Sequence, residues 1–92
     1  MNAQQKRNQN FLKACGKMDM SMLKKMLASG VDIETKNHEG KTALMIAATF
    51  GYASIVQLLM SLGANPFVQD HNGYTARDLA KAWKRQNVLA II

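Results

Sequence analysis

Cys15, His38 and His71 are side chains of the types that attack a substrate or hold a metal. Such chemistry needs company, and each of them lacks it. No basic residue stands at a spacing that assigns it to activate the Cys15 thiol, and a single cysteine excludes an internal disulfide and a multi-cysteine zinc site. The carboxylates do not pair either: Asp32 and Glu34 follow Gly30 in a loop, and Asp78 stands alone between Arg77 and Lys81. No phosphate-cradling glycine loop and no nucleophile elbow occurs. The sequence reads as non-catalytic, with no cofactor.

The elements that carry these residues repeat. Gly40 and Gly73 lie 33 residues apart, as do Thr42 and Thr75, Ala43 and Ala76, and Ala47 and Ala80. The same offset links Gly30 to Gly63, Ala14 to Ala47, Phe11 to Leu44 and Ser21 to Ser54. A fixed period of this size marks stacked supersecondary units. Within one period, Asn37-His38-Glu39-Gly40 is a turn, because Asn tolerates left-handed geometry and Gly adopts it without steric cost. Thr42 then caps a helix through Ala43-Leu44-Met45-Ile46-Ala47-Ala48, and Gly51 ends it. A second helix begins near Ser54 and lines up Ile55, Val56, Leu58, Leu59 and Leu62 until Gly63 stops it. Such a helix pair cannot bury both of its apolar faces alone, so the units must stack.

The period also disposes of the metal reading. Units stacked about 10 Å apart hold His38 and His71 too far apart to share an ion through bonds of about 2 Å. Glu39 could join only His38. Cys15 falls at the register of Ala48, a small core position, which predicts a quiet buried thiol.

GKTALMIAATFGYASIVQLLMSLGAN strongly resembles an ankyrin repeat, and DHNGYTARDLAKA resembles the entry to a terminal one. The resemblance covers residues 11–92 and implies an all-α solenoid: stacked helix–turn–helix units with β-hairpin loops projecting from their base. It also implies a concave groove, lined by loop tips and inner helices, that binds other proteins. The domain reading is a polar tail over 1–10, a first capping repeat over 11–36, a second over 37–69 and a truncated third over 70–92. The family pattern Thr-Pro-Leu-His is replaced by Thr42-Ala43-Leu44-Met45 and Thr75-Ala76-Arg77-Asp78, which removes a proline with preset φ and a polar link between repeats. Met18 stands at the register of Gly51, so the first inner helix needs another ending, for which Gly16 is the candidate.

Expected binding residues fall in two groups. On the inner helices Phe50 and Trp83 occupy one register position, with Lys17 as their first-unit counterpart, and Met45 and Thr49 lie beside Phe50. Aromatic side chains are over-represented among binding hot spots, although a ring here can also simply cover the adjacent helix or the open end of the stack. The loop tips add His38, Glu39 and Lys41, then His71, Asn72 and Tyr74. Met22 and Met26, with Leu23 and Leu27, read as the apolar stripe of the first outer helix; Met18, Met20 and Met45 are less constrained, core or semi-core positions by default and a soft contact surface where exposed.

Twelve Lys and Arg against six Asp and Glu give 92 residues a net charge of +6, and 48% hydrophobic content marks a folded chain. The basic residues form three groups, Lys6 and Arg7, then Lys13, Lys17, Lys24 and Lys25, then Lys81, Lys84 and Arg85, spread around the solenoid. That distribution reads as solvated helix surface or attraction for an acidic protein partner, ahead of nucleic acid. The polar start and the short apolar runs predict a cytoplasmic chain with no signal peptide and no membrane span. Val88, Leu89, Ile91 and Ile92 form an apolar stripe that predicts, as the alternative to groove binding, a homodimer contact or docking onto further repeats in a larger assembly. The expected role is a non-catalytic protein-binding module of inhibitor, adaptor or immunity type.

Overall fold

The computed structural model describes residues 1–92, and every regular element in it is helical. Three antiparallel pairs follow one another: α1 (Ala3–Cys15) with α2 (Met20–Ala28), α3 (Ala43–Phe50) with α4 (Ala53–Ser61), and α5 (Ala76–Ala82) with α6 (Gln86–Leu89). The inner helices α1, α3 and α5 pack side by side in that order. None of the helices is long and apolar enough to cross a membrane.

Capping explains where the helices begin. Thr42 Oγ1 accepts from the Met45 amide, and Thr75 Oγ1 accepts from the Asp78 amide while Asp78 returns a bond to the Thr75 amide. These side chains satisfy amides that the first helical turn leaves without carbonyl partners. The core then follows the period. Phe11 and Leu44 are fully buried at the same register, and Ala14, Ala47 and Ala80 are small enough to let neighbouring inner helices approach.

Residues 1–10 are not a tail. Asn2 opens α1 through a reciprocal capping box with Gln5, and the helix runs from Ala3, seven residues ahead of the register set by Ala43. Those extra turns have work to do. Asn8 Oδ1 accepts from the Asp32 amide at 2.9 Å, and Gln9 Nε2 donates to the Lys36 carbonyl at 3.2 Å. The amide side chains thus satisfy the backbone of the loop that leads into the second unit.

The inner helices end in a left-handed residue at one register. Gly51 has φ +73°, and Met18 and Lys84 take φ +52° and +57° at the same position 33 residues before and after. Gly16 does cap the carboxyl end of α1, as expected of it, but with a right-handed φ of −79°, and the left-handed residue follows two positions later at Met18. Tertiary stacking fixes the connection between the two helices of each unit, so a side chain is forced into a conformation that costs it about 1–2 kcal/mol.

The loops are single hydrogen-bonded turns without a strand ladder. Asn37 Oδ1 accepts from the amides of Glu39 and Lys41, and Asp70 Oδ1 accepts from those of Asn72 and Tyr74 in the same pattern. At the other end of the chain Val88 is fully buried, while Leu89, Ile91 and Ile92 are half-buried against the core. Arg77 Nη1 donates to the Ile92 carbonyl. The expected dimer stripe is therefore folded back onto α5: a shortened outer helix uses its apolar side chains to close its own unit.

Met18→Gly and Lys84→Gly should each raise the unfolding free energy by about 0.5–1 kcal/mol, the left-handed strain relieved less the extra backbone entropy of glycine. Urea denaturation checks this, and Gly51→Ala should shift the midpoint the opposite way.

Candidate functional site

The concave face starts from the phase of α3. Leu44, Ala47 and Ala48 point into the core, which leaves half-buried Ile46 and Thr49 and exposed Phe50 on one stripe with spacing i, i+3, i+4. Opposite them, α1 presents Gln9, Leu12, Lys13 and Gly16 across a crevice of about 260 Å³ that also touches Asn37, His38 and Ile46. Past Ile46 and Asn37 the surface opens into a second hollow of about 210 Å³, bordered by Glu39, Lys41, Thr49 and Phe50. The two hollows adjoin at Asn37 and Ile46, the first between α1 and α3 and the second between α3 and the turn that precedes it.

Phe50 is 49% exposed and Trp83 59%, so both rings are available to solvent at the register that the period gives them. They do not stack on each other. Phe50 lies against Tyr52, with ring centroids 5.5 Å apart and planes 19° from parallel. The ring also approaches Gly16, where a Cβ would sit 3.7 Å from Cε2. Arg85 Nε donates to the Thr49 carbonyl at 3.0 Å, and Asn87 Nδ2 donates to that of Gly51 at 2.9 Å, so the third unit grips the end of α3. Thr49 itself is half-buried, with its hydroxyl donating to the Met45 carbonyl. Tyr74 is 51% exposed on its turn, and His38, Glu39, His71 and Asn72 are exposed as well.

Three expected binding residues, Met45, Lys41 and His71, have other tasks. Met45 is only 1% exposed: it occupies the core side of α3, one residue out of phase with the groove stripe. Lys41 is half-buried, and its Nζ lies 3.2 Å from Asp70 Oδ2 and 4.0 Å from Glu39 Oε2. The Asp70 side chain has no exposed surface. Burial alone would raise its pKa, but amide bonds from Tyr74 and Asn72 together with the Lys41 ammonium hold the carboxyl below its ordinary value. The same turns are joined through the backbone, where the His71 amide donates to the Glu39 carbonyl at 3.1 Å. The His71 imidazole covers Gly40, at which a Cβ would meet Cδ2 at 2.5 Å. Lys41, Gly40, His71 and Asp70 are thus the clamp between successive turns.

Ile46, Lys13 and Tyr52 belong to the site and were not singled out from the sequence. The signal was present for the first two: 13, 16, 17 and 46, 49, 50 are the same stripe one period apart. Tyr52 lies in the irregular link after Gly51, where no periodicity points to it. No three potential metal-ligating side chains converge in the fold. The Cys15 thiol is buried, and desolvation pushes its pKa up to about 12.

Comparison with known proteins agrees with this architecture. A family model for ankyrin repeats, three copies, matches residues 11–92, and the chain belongs to the ankyrin repeat family. It is 32% identical over 78 residues to a probable serine/threonine-protein kinase of Dictyostelium discoideum, covering 85% of this chain and 9% of that protein. It is 33% identical to the mitochondrial liver isoform of glutaminase from Rattus norvegicus, over 90% of this chain and 14% of the relative. A putative ankyrin repeat protein of Escherichia coli, YahD, shares 39% identity over 62 residues, 67% of this chain and 31% of YahD. The chain therefore spans less than a third of each of these relatives. Ankyrin repeats are generally protein–protein interaction modules without catalytic residues.

Two outcomes follow from the clamp and the thiol. Asp70→Ala should cost about 2 kcal/mol, because it strands two amides and a lysine. Asp70→Asn, which copies Asn37 in the preceding turn, keeps the two amide bonds but loses the charged partner of Lys41, and should cost about 1–1.5 kcal/mol, less than alanine. Because folding lowers the Asp70 pKa, its contribution is complete above about pH 4, the unfolded value, and is lost as pH falls through the folded one. Acid unfolding followed by circular dichroism should show a steeper slope in the parent than in Asp70→Asn, which keeps only the Asp78 carboxyl that its bonds to Thr75 hold below the ordinary value. The Cys15 thiol should resist a disulfide reagent at pH 8 and react at the rate of a free cysteine once urea unfolds the chain.

Proposed function

We propose that this chain is a non-catalytic module that captures a segment of another protein on its concave face. Ile46 and Phe50 form the apolar floor, Trp83 and Tyr74 extend it along the stack, and His38, Glu39 and Asn72 give it a polar rim. The observation that carries the reading is the pair of adjoining hollows along α3, with Ile46 lining both and a half-exposed Phe50 bordering the second. Large apolar side chains left in contact with water beside a concavity are what a partner's side chains can bury.

Mechanism follows from rigidity. The inner helices share one core and the turns are clamped through Asp70, so the groove loses little conformational freedom when occupied. Affinity can then rest on a few aromatic anchors. A net charge of +6 favours a partner with an acidic surface and a rate of association that falls with salt. Holding such a surface in the groove blocks it from other contacts, so the module acts by occlusion, as an inhibitor or adaptor does.

Affinity capture from the native cell, with Phe50→Ala plus Trp83→Ala beside the parent, tests this. The double variant should lose its partner by about tenfold or more, as expected when two anchors of hot-spot type are truncated. Capture at parental level would reject the aromatic floor as the binding surface. Ile46→Asp should reproduce the loss without touching either ring.

A further inference from the structure

The positive charge is not spread evenly along the stack. Residues 1–31 contain six basic side chains and one acidic one, whereas residues 32–92 contain six basic and five acidic. Five of the six net charges therefore sit on the first helix pair. Lys6, Arg7, Lys13, Lys17, Lys24 and Lys25 are all exposed and none is in an ion pair. The lone acid, Asp19, is occupied as the cap of α2, accepting from the Met22 amide at 3.0 Å.

The same pair has an uncovered stacking face. An open crevice of about 390 Å³ runs between α1 and α2, lined by Asn10, Lys13, Ala14 and Lys17 on one side and Asp19, Met22 and Met26 on the other. Each set falls on a single helix face by its spacing of three and four. One period later these positions include Ala43, Ala47, Ile55 and Leu59, all at most 1% exposed. Two periods later Ala76, Ala80 and Val88 are equally buried. The surface that the second and third units bury is open in the first, where Met22 remains 43% exposed.

We infer that this end face is a second docking surface, whose occupant is an acidic amphipathic helix of a partner protein. The crevice lies between two antiparallel helices and keeps apolar side chains at stacking positions, so a helix fits it as one fits the later units. Met22 and Met26 adapt their shape to an incoming apolar side chain. The unpaired lysines around them select carboxylates on its flanks and repel a second copy of the same basic face. A nucleic acid would satisfy the lysines, but its phosphate backbone leaves the methionine floor uncovered.

The probe is an acetylated, fluorescently labelled peptide of about 18 residues, five helical turns, with Leu on one face and Glu flanking it. An isomer of identical composition with its Leu residues scattered, and a single-stranded oligothymidylate, serve as comparisons. Fluorescence anisotropy with the full chain at low salt should show the amphipathic peptide binding about tenfold or more tightly than its isomer. Met22→Asp and Lys17→Glu should each weaken it about tenfold or more, while Ile46→Asp in the concave groove leaves it unchanged. Both Met22 and Lys17 are exposed, and an unaltered circular dichroism spectrum shows that the fold is kept. Equal binding of the isomer, indifference to Met22→Asp, or displacement by oligothymidylate at lower concentration than by the unlabelled peptide would overturn the inference. Loss with Ile46→Asp alone would overturn it too, while leaving the concave-face reading intact. Concentration-dependent dimerisation abolished by Met22→Asp would assign the face to a second copy and overturn the acidic occupant.

Discussion

A pair of helices eight or nine residues long, such as α3 and α4, has more apolar surface than the two can cover for each other. Whatever lies beside the pair must cover the rest, and in this protein the next pair does. Fully burying a side chain such as Phe11, Leu44 or Ile55 is worth about 1.5–3 kcal/mol, and these residues reach that state only because pairs stack. The alanines at positions 14, 47 and 80 set how closely. Everything at the surface inherits its place from this stacking, including the phase that turns Ile46 toward the groove and Met45 away from it.

Stacking also explains why the turns are coupled and not merely repeated. Asn37 and Asp70 close their own turns with the same side-chain geometry, yet only the aspartate reaches back to a lysine in the preceding turn. Replacing a neutral amide oxygen by a carboxylate converts a local motif into a link between units. Gly40 serves the same link from the other side. Its left-handed φ of +78° favours glycine, and the His71 ring occupies the space a side chain would need. A loop tip that looked like recognition surface is partly an internal joint.

The ends of a stack are where this logic stops being satisfied, and the two ends differ. At the carboxyl end Val88 and its neighbours fold back on α5, so a four-residue outer helix still finishes its unit. At the amino end α1 is lengthened, and its Asn and Gln side chains secure the following loop. The apolar seam between α1 and α2 nevertheless stays open and surrounded by lysines. Charge and exposed methionine therefore coincide on one face, whereas the exposed aromatic side chains Phe50 and Trp83 stand at the carboxyl ends of α3 and α5.

The repeat itself was legible from residue spacing, since glycine, threonine and alanine recur at one offset wherever turn, cap and helix contact demand those types. Buried Cys15 and the exposure of Phe50, Trp83 and Tyr74 followed from that register. The start of α1 was also written in the chain, as Asn2 and Gln5, but a polar composition hid it behind the appearance of a tail. Other features depend on neighbours that no local pattern contains. Lys41 meets Asp70 across 29 positions, Arg85 reaches the Thr49 carbonyl across 36, and Met18 takes a left-handed conformation because the packed helices on either side fix its connection. Spacing along the chain determines which face of a helix a residue occupies. Only packing in three dimensions decides what lies opposite that face, and so whether a lysine meets a carboxylate, a methionine meets the core, or either one meets water.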